Sequence, residues 1–138
     1  MVSSPCGMFG DGKLDQFGEW IGSLPKTMFP KNFLWFDKSN NGFVWYYIFA
    51  EDMTIPQDCS IIDFPGGLYA VATDVDGKDN SAALGAIKSF IAEKGCFEED
   101  SSREYLGNII TPLSANKAMA YNQMDYYIPI RIICNAAE

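Results

Sequence analysis

The stretch Phe64–Gly77, FPGGLYAVATDVDG, constrains the fold more than any other part of the chain. Pro65-Gly66-Gly67 signals a turn or bulge, because glycine reaches positive φ without strain. Leu68–Thr73 reads as a buried strand, being short, largely apolar, and carrying an aromatic and a β-branched residue. Asp74–Asn80 is polar and contains Gly77, so it reads as a loop. A helix pattern follows at once, capped by Asn80 or Ser81 and running to about Lys94, with Ala83, Leu84, Ile87, Phe90 and Ile91 as its apolar stripe. Gly95 is placed to end it, and Lys94 suits the negative end of the helix dipole. A strand, a loop and a helix in direct succession open a structural unit, and a similar order can be found before it.

In that first half, Met1–Phe9 reads as irregular or as a poor edge strand. Asp11 is a plausible N-cap for a helix over Lys13–Leu24, in which Leu14, Phe17, Ile21 and Leu24 form one apolar stripe and Pro25 is the stop. Trp20 and Glu19 lie off the stripe, which places Trp20 at the margin of the core or in the wall of a pocket. Asn41-Gly42 between two aromatic-rich runs is a hairpin signal, with strands at about Asn32–Lys38 and Phe43–Glu51. Phe43, Trp45, Tyr47 and Phe49 share one face of the second strand, and Val44, Tyr46 and Ile48 the other. Both faces are apolar, so this strand is central or has ligand over one side. Met53–Asp58 reads as a connection and Cys59–Phe64 as a short strand.

After the second helix, Glu98-Glu99-Asp100 reads as solvated loop, Arg103–Thr111 as a strand, Pro112–Lys117 as a loop, and Met124–Ile133 as the last strand. Strand alternation puts Glu104, Leu106, Asn108 and Ile110 on one face. In the last strand Met124, Tyr126, Ile128, Ile130 and Ile132 make an apolar face. Pro129 has no amide hydrogen, so its nitrogen must point at an edge or a bulge. The sum is an α+β domain: two βαββ units forming a largely antiparallel sheet with two helices on one face, the first strand of the first unit weak or missing.

Composition narrows the function. At 138 residues the chain reads as one domain, and 48% apolar content supports a packed core. An aromatic share of 14% exceeds what a small core needs, so some rings are available to line a pocket. The net charge of −8 argues against nucleic acid and is compatible with cationic ligands. There is no histidine, which removes the commonest metal ligand and the usual general base. Cys6, Cys59, Cys96 and Cys134 are irregularly spaced without a CxxC pair, favouring free thiols in a cytoplasmic protein over two bridges in a secreted one. No stretch reads as a signal peptide or a membrane span. Neither a metal nor an organic cofactor is expected.

Gly67, Tyr69, Ala70 and Val71, then an amphipathic helix, then REYLGN at Arg103–Asn108, then Tyr127–Ile130 in MDYYIPIRI, resemble the gyrase-inhibitor-like effector-binding domain. That family supplies the drug-binding modules of MerR- and AraC-type regulators and also occurs alone; the resemblance covers about Trp45–Ile132. It implies a flat, often cationic compound held between two halves, stacked on rings and neutralised by a buried carboxylate. The family's acid lies in the strand after the second helix. Alignment on Tyr105 puts Arg103 at that place, whereas a slip of one residue puts Glu104 there, and strand parity favours Glu104.

These readings make Trp20, Trp45, Tyr47, Tyr69, Glu104 and Tyr126 the candidate ligand-binding residues, although core packing also explains each ring singly. The implied function is a stand-alone binder of amphipathic or cationic small molecules. No helix-turn-helix precedes the domain, so direct contact with nucleic acid is not expected, nor is membrane binding; a protein partner or homodimer is compatible with the sequence. An alternative implied by the resemblance is a hydrolase opening reactive cyclopropane rings, with Glu104 and either Tyr105 or Tyr126 activating water. A third is a protein-interaction module like the gyrase inhibitor. Heme binding is disfavoured without histidine.

Overall fold

The computed structural model describes residues 1–133. The fold is α+β, with three helices and eight strands among those residues. The chain divides into two compact units at Phe64 and Pro65. The first contains β1 (Val2–Ser3), α1 (Lys13–Ser23), β2 (Asn32–Asp37), β3 (Gly42–Tyr47) and β4 (Ser60–Ile61). The second contains β5 (Leu68–Val75), α2 (Ser81–Lys94), β6 (Phe97–Glu99), β7 (Leu106–Ile109), α3 (Leu113–Met119) and β8 (Gln123–Ile132). Within each unit every strand pair is antiparallel. Both units share one wiring: the opening strand pairs with the last long strand, which also pairs with the strand before it. In the first this is β1-β3-β2, and in the second β5-β8-β7.

The weak first strand is present and is not an edge. β1 lies between β3 and β4, and the segment continues along β3 through Ser4 N to Trp45 O and a bridge between Gly7 and Phe43. Burial explains why so short a strand holds, since Val2 is fully buried against Phe17 and Tyr47. Asp11 is not itself the N-cap of α1, because Gly12 takes that place in a left-handed conformation. The Asp11 carboxylate still accepts from the amides of Met8 and Lys13, which holds it below the usual carboxylate range. Leu14 and Phe17 of the stripe are fully buried, while Ile21 and Leu24 pack at its margin.

The hairpin forms as expected, with its four-residue loop one position earlier than the strand bounds 32–38 and 43–51 imply. Asp37 pairs with Gly42, so residues 38–41 form the loop, with Asp37 accepting from the amides of Ser39 and Asn40. Asn41, and not Gly42, takes positive φ. Gly42 is needed for another reason: a Cβ there would sit 2.7 Å from Cys6 Sγ and 3.0 Å from Gly7 O. Gly42→Ala should therefore cost roughly 1–2 kcal/mol by overpacking, read as a lowered denaturant midpoint. An unchanged midpoint would show that the Cys6–Gly7 segment yields freely.

The second unit corrects further readings. Gly66 and Gly67 do not adopt positive φ. β5 is only half-buried, and among the described residues β8 alone pairs with it. Residues 97–99 form β6 on β8 instead of a solvated loop, and the 113–119 segment is a helix. The strand expected from Arg103 begins only at Leu106. α2 ends as expected at left-handed Gly95, and Ala83, Ile87 and Ile91 are buried, but Phe90 is not. Ala70, Ile87, Ile91, Ile128 and Ile130 form this unit's core.

Pro129 lies in β8, a strand paired on both sides. The amide of Asp100 donates to its carbonyl, so its nitrogen points the same way, into the gap between the β6 and β7 ladders. That gap acts as the required edge. Cys6, Cys59 and Cys96 are free thiols, and burial pushes the Cys59 thiol up; Cys134 lies outside the described residues. No helix among the described residues is long and apolar enough to cross a membrane.

Candidate functional site

The six candidate residues separate into two places. Trp20, Trp45 and Tyr47 belong to the first unit, and Tyr69, Glu104 and Tyr126 to the second. In the first unit Phe17 is the hub: its ring centroid lies 5.2 Å from that of Trp20 and 5.8 Å from that of Trp45. Trp20 meets Tyr47 edge-on at 5.8 Å. Helix α1 and strand β3 approach closely enough for this because Gly18 faces the Trp45 ring, where a Cβ would already be 3.3 Å from Cζ3. The rings are fixed at their polar ends. Trp20 Nε1 donates to Thr54 O at 3.0 Å, and Trp45 Nε1 to Asn32 Oδ1 at 3.0 Å.

Trp20 and Tyr47 wall an open-sided cleft of about 590 Å³. Leu24 and Pro25 at the end of α1 form one side, and Met53, Ile55 and Pro56 of the following connection form the other. Met53–Asp58 is thus part of the cleft as well as a connection, and Met53 and Ile55 pack onto the cluster around Phe17. Lys31 and Asp52 bring charge to the lining, and neither side chain is ion-paired or hydrogen-bonded within the described residues. Trp45 is not part of the lining; it sits against Phe9 and Phe17. The sequence pointed to the rings through their excess, but it gave no signal for Asp52, Met53 or Ile55, which look like ordinary connection residues until the chain folds back on Trp20.

In the second unit the expected acid is displaced. Glu104 precedes β7, so strand parity does not apply to it; it is exposed and makes no side-chain hydrogen bond among the described residues. The buried ion is instead its neighbour. The Arg103 side chain, 8% exposed, pairs through Nε with Asp100 at 2.8 Å, and Nη2 donates to Leu68 O and Ile130 O at 2.9 Å each. Its Cζ lies 4.7 Å from the Tyr69 ring centroid. Hydrogen bonds from Ser102 and then Arg103 lower the Asp100 carboxyl to about 2. Tyr69 therefore already holds a cation, and that cation is internal.

Tyr126 packs on the α2 side of its unit, where burial, then Asp76 and Asp74, raise its phenol. No hydrogen bond joins it to Glu104. Tyr105 is bonded to Glu99, and burial first and that bond second push its phenol up to about 12. A scan against protein-family models finds no match to this chain, and a search of curated proteins finds none.

Proposed function

We propose that this chain is a small-molecule-binding protein of the gyrase-inhibitor-like effector-binding kind, taking an amphipathic organic cation into the cleft walled by Trp20 and Tyr47. The observation that carries the reading is the cleft itself: two rings of the aromatic core reach an open hollow that also offers an unpaired carboxylate, Asp52. A flat cation loses hydration on entering such a site; ring faces and a carboxylate offset that loss. The proposed seat departs from the family pattern, in which the compound lies between the halves. The protein's overall charge of −8 also favours collecting cations from solution. A cytoplasmic, sequestering or regulatory role belongs to this reading.

The test is titration of a fluorescent phenanthridinium dye, followed by anisotropy, with a neutral dye of the same ring size alongside. The cation should bind saturably and more tightly than its neutral counterpart. Trp20→Leu should raise Kd about two- to five-fold, the loss of one partly exposed cation–ring contact. Asp52→Asn should also weaken binding, and Lys31→Gln should strengthen it. Absence of saturable binding to the unmodified protein, or equal affinity across all three variants, would rule out this seat.

A further inference from the structure

β5 ends the sheet of its unit: β8 pairs with one side, and no strand among the described residues pairs with the other. The direction of its free groups follows from the ladder. Pro129 faces away from β5, so its neighbours Ile128 and Ile130 face toward it and bond Ala70 and Leu68. The amide of Asp76 continues this even-numbered series by donating to Asn122 O. Tyr69, Val71, Thr73 and Val75 therefore turn their amides and carbonyls outward. Asp74 Oδ1 takes up the Val75 amide at 2.7 Å. Tyr69, Val71 and Thr73 are left as three consecutive outward donors.

Exposed edges of this length are normally blunted by lysine, proline, glycine bulges or brevity. β4 shows the last device, with two residues. β5 spans eight residues, LYAVATDV, with none of them. Large apolar groups accompany the edge: Leu68 and Val71 are 50% and 46% exposed, and on α2, which packs over β5, Phe90 is 42% exposed. The exposed residues of α2 include the small Ala82, Gly85, Ala86 and Ser89 together with the charged Lys88, Glu93 and Lys94.

We propose that a second copy of this chain docks along β5, pairing the two strands antiparallel about a two-fold axis at Val71. Hydrogen-bonded antiparallel pairs must join outward-facing residues, so odd positions meet odd positions. Centring on Val71 sets Val71 against its twin and Tyr69 against the partner's Thr73, so each free donor meets an acceptor and the already capped Val75 is left out. Leu68 then opposes the partner's Asp74, and no charged residue of β5 faces its own counterpart. The axis runs normal to the joined sheet, which brings both α2 helices to one side.

Light scattering over a dilution series should give twice 15.3 kDa at high concentration, falling toward 15.3 kDa on dilution. Val71→Pro removes an outward amide without touching the β8 ladder, and proline is tolerated on an edge strand. It should raise the dimer dissociation constant about tenfold, because both symmetry-related bonds go at once. Val71→Lys should do the same by charge repulsion across the axis, with circular dichroism and thermal unfolding retained in both variants. Hydrogen exchange at Tyr69, Val71 and Thr73 should slow with rising concentration, while that at Ala70 and Ala72 should not. A monomer at every concentration overturns the proposal, as does a dimer that persists in Val71→Lys or leaves those three amides unprotected. If Val71→Pro fails to fold, Val71→Lys and the exchange pattern decide.

Discussion

Phe17→Ala is expected to lower the unfolding free energy by about 3–5 kcal/mol, against a total of roughly 5–15 kcal/mol for a domain of ordinary stability. Phe17 is 1% exposed and is the ring on which both Trp20 and Trp45 rest, with Val2 and Tyr47 in the same cluster. Removing it leaves a cavity that these neighbours cannot close without moving. Val2 holds the two-residue β1, so the loss reaches the strand pairing as well. Denaturant unfolding followed by tryptophan emission measures the cost. Phe17→Leu keeps most of the volume and should lose distinctly less. Equal losses for the two variants would show that the aromatic stack, and not filled volume, is what Phe17 contributes.

The same substitution bears on function, since Trp20 walls the cleft and is seated by Phe17. Dye affinity in Phe17→Leu should fall although Phe17 does not line the cleft, because the Trp20 ring loses its support. Unaltered affinity in that variant would mean that the hydrogen bond from Trp20 Nε1 to Thr54 O alone is enough to fix the ring.

What the sequence disclosed and what it hid divide along the range of the interactions. The α1 stripe, the hairpin, α2 with its glycine stop and the final strand are written in local periodicity and were all found. The two-halves pattern was also visible, since strand, helix and paired strands recur. β1 was undervalued because two residues carry no period; its place is fixed by Val2 entering a core built by α1 and β3. α3 was missed because a short helix beginning after Pro112, with Ser114 and Asn116 within it, resembles a loop by propensity.

The candidate site was only half legible for a related reason. An excess of rings can be counted, but which rings reach solvent depends on where the 48–59 connection returns, and nothing local states that. Parity misplaces Glu104 because β7 begins at Leu106, three residues after the start that local pattern implies. Gly66-Gly67 reads locally as a turn in need of positive φ, whereas the requirement at Gly67 comes from a side chain 36 residues further along, Arg103.

That requirement makes Gly67→Ala informative. A Cβ at Gly67 would fall 2.4 Å from Arg103 Nη1 and 2.6 Å from Cζ. A guanidinium at the end of a free side chain would swing away. This one is held through Nε by Asp100, through Nη2 by Leu68 O and Ile130 O, and by the Tyr69 ring, so the alanine must displace a buried cation anchored by those bonds. The expected cost is about 2–4 kcal/mol. In an Arg103→Ala background the clash is gone and φ at Gly67 suits any residue, so the same change should be neutral or stabilising by up to about 1 kcal/mol. Such coupling is the signature of direct contact, and additive costs would disprove it. Acidity gives a second reading. Asp100 has its folded pKa lowered to about 2 from 3.8, so its contribution is complete above 3.8 and disappears as pH falls through about 2. Asp100→Asn should flatten the acid limb of the stability curve in that window, and Gly67→Ala, by removing Arg103 from the carboxylate, should flatten it in the same direction but less, because the bonds from Ser102 remain.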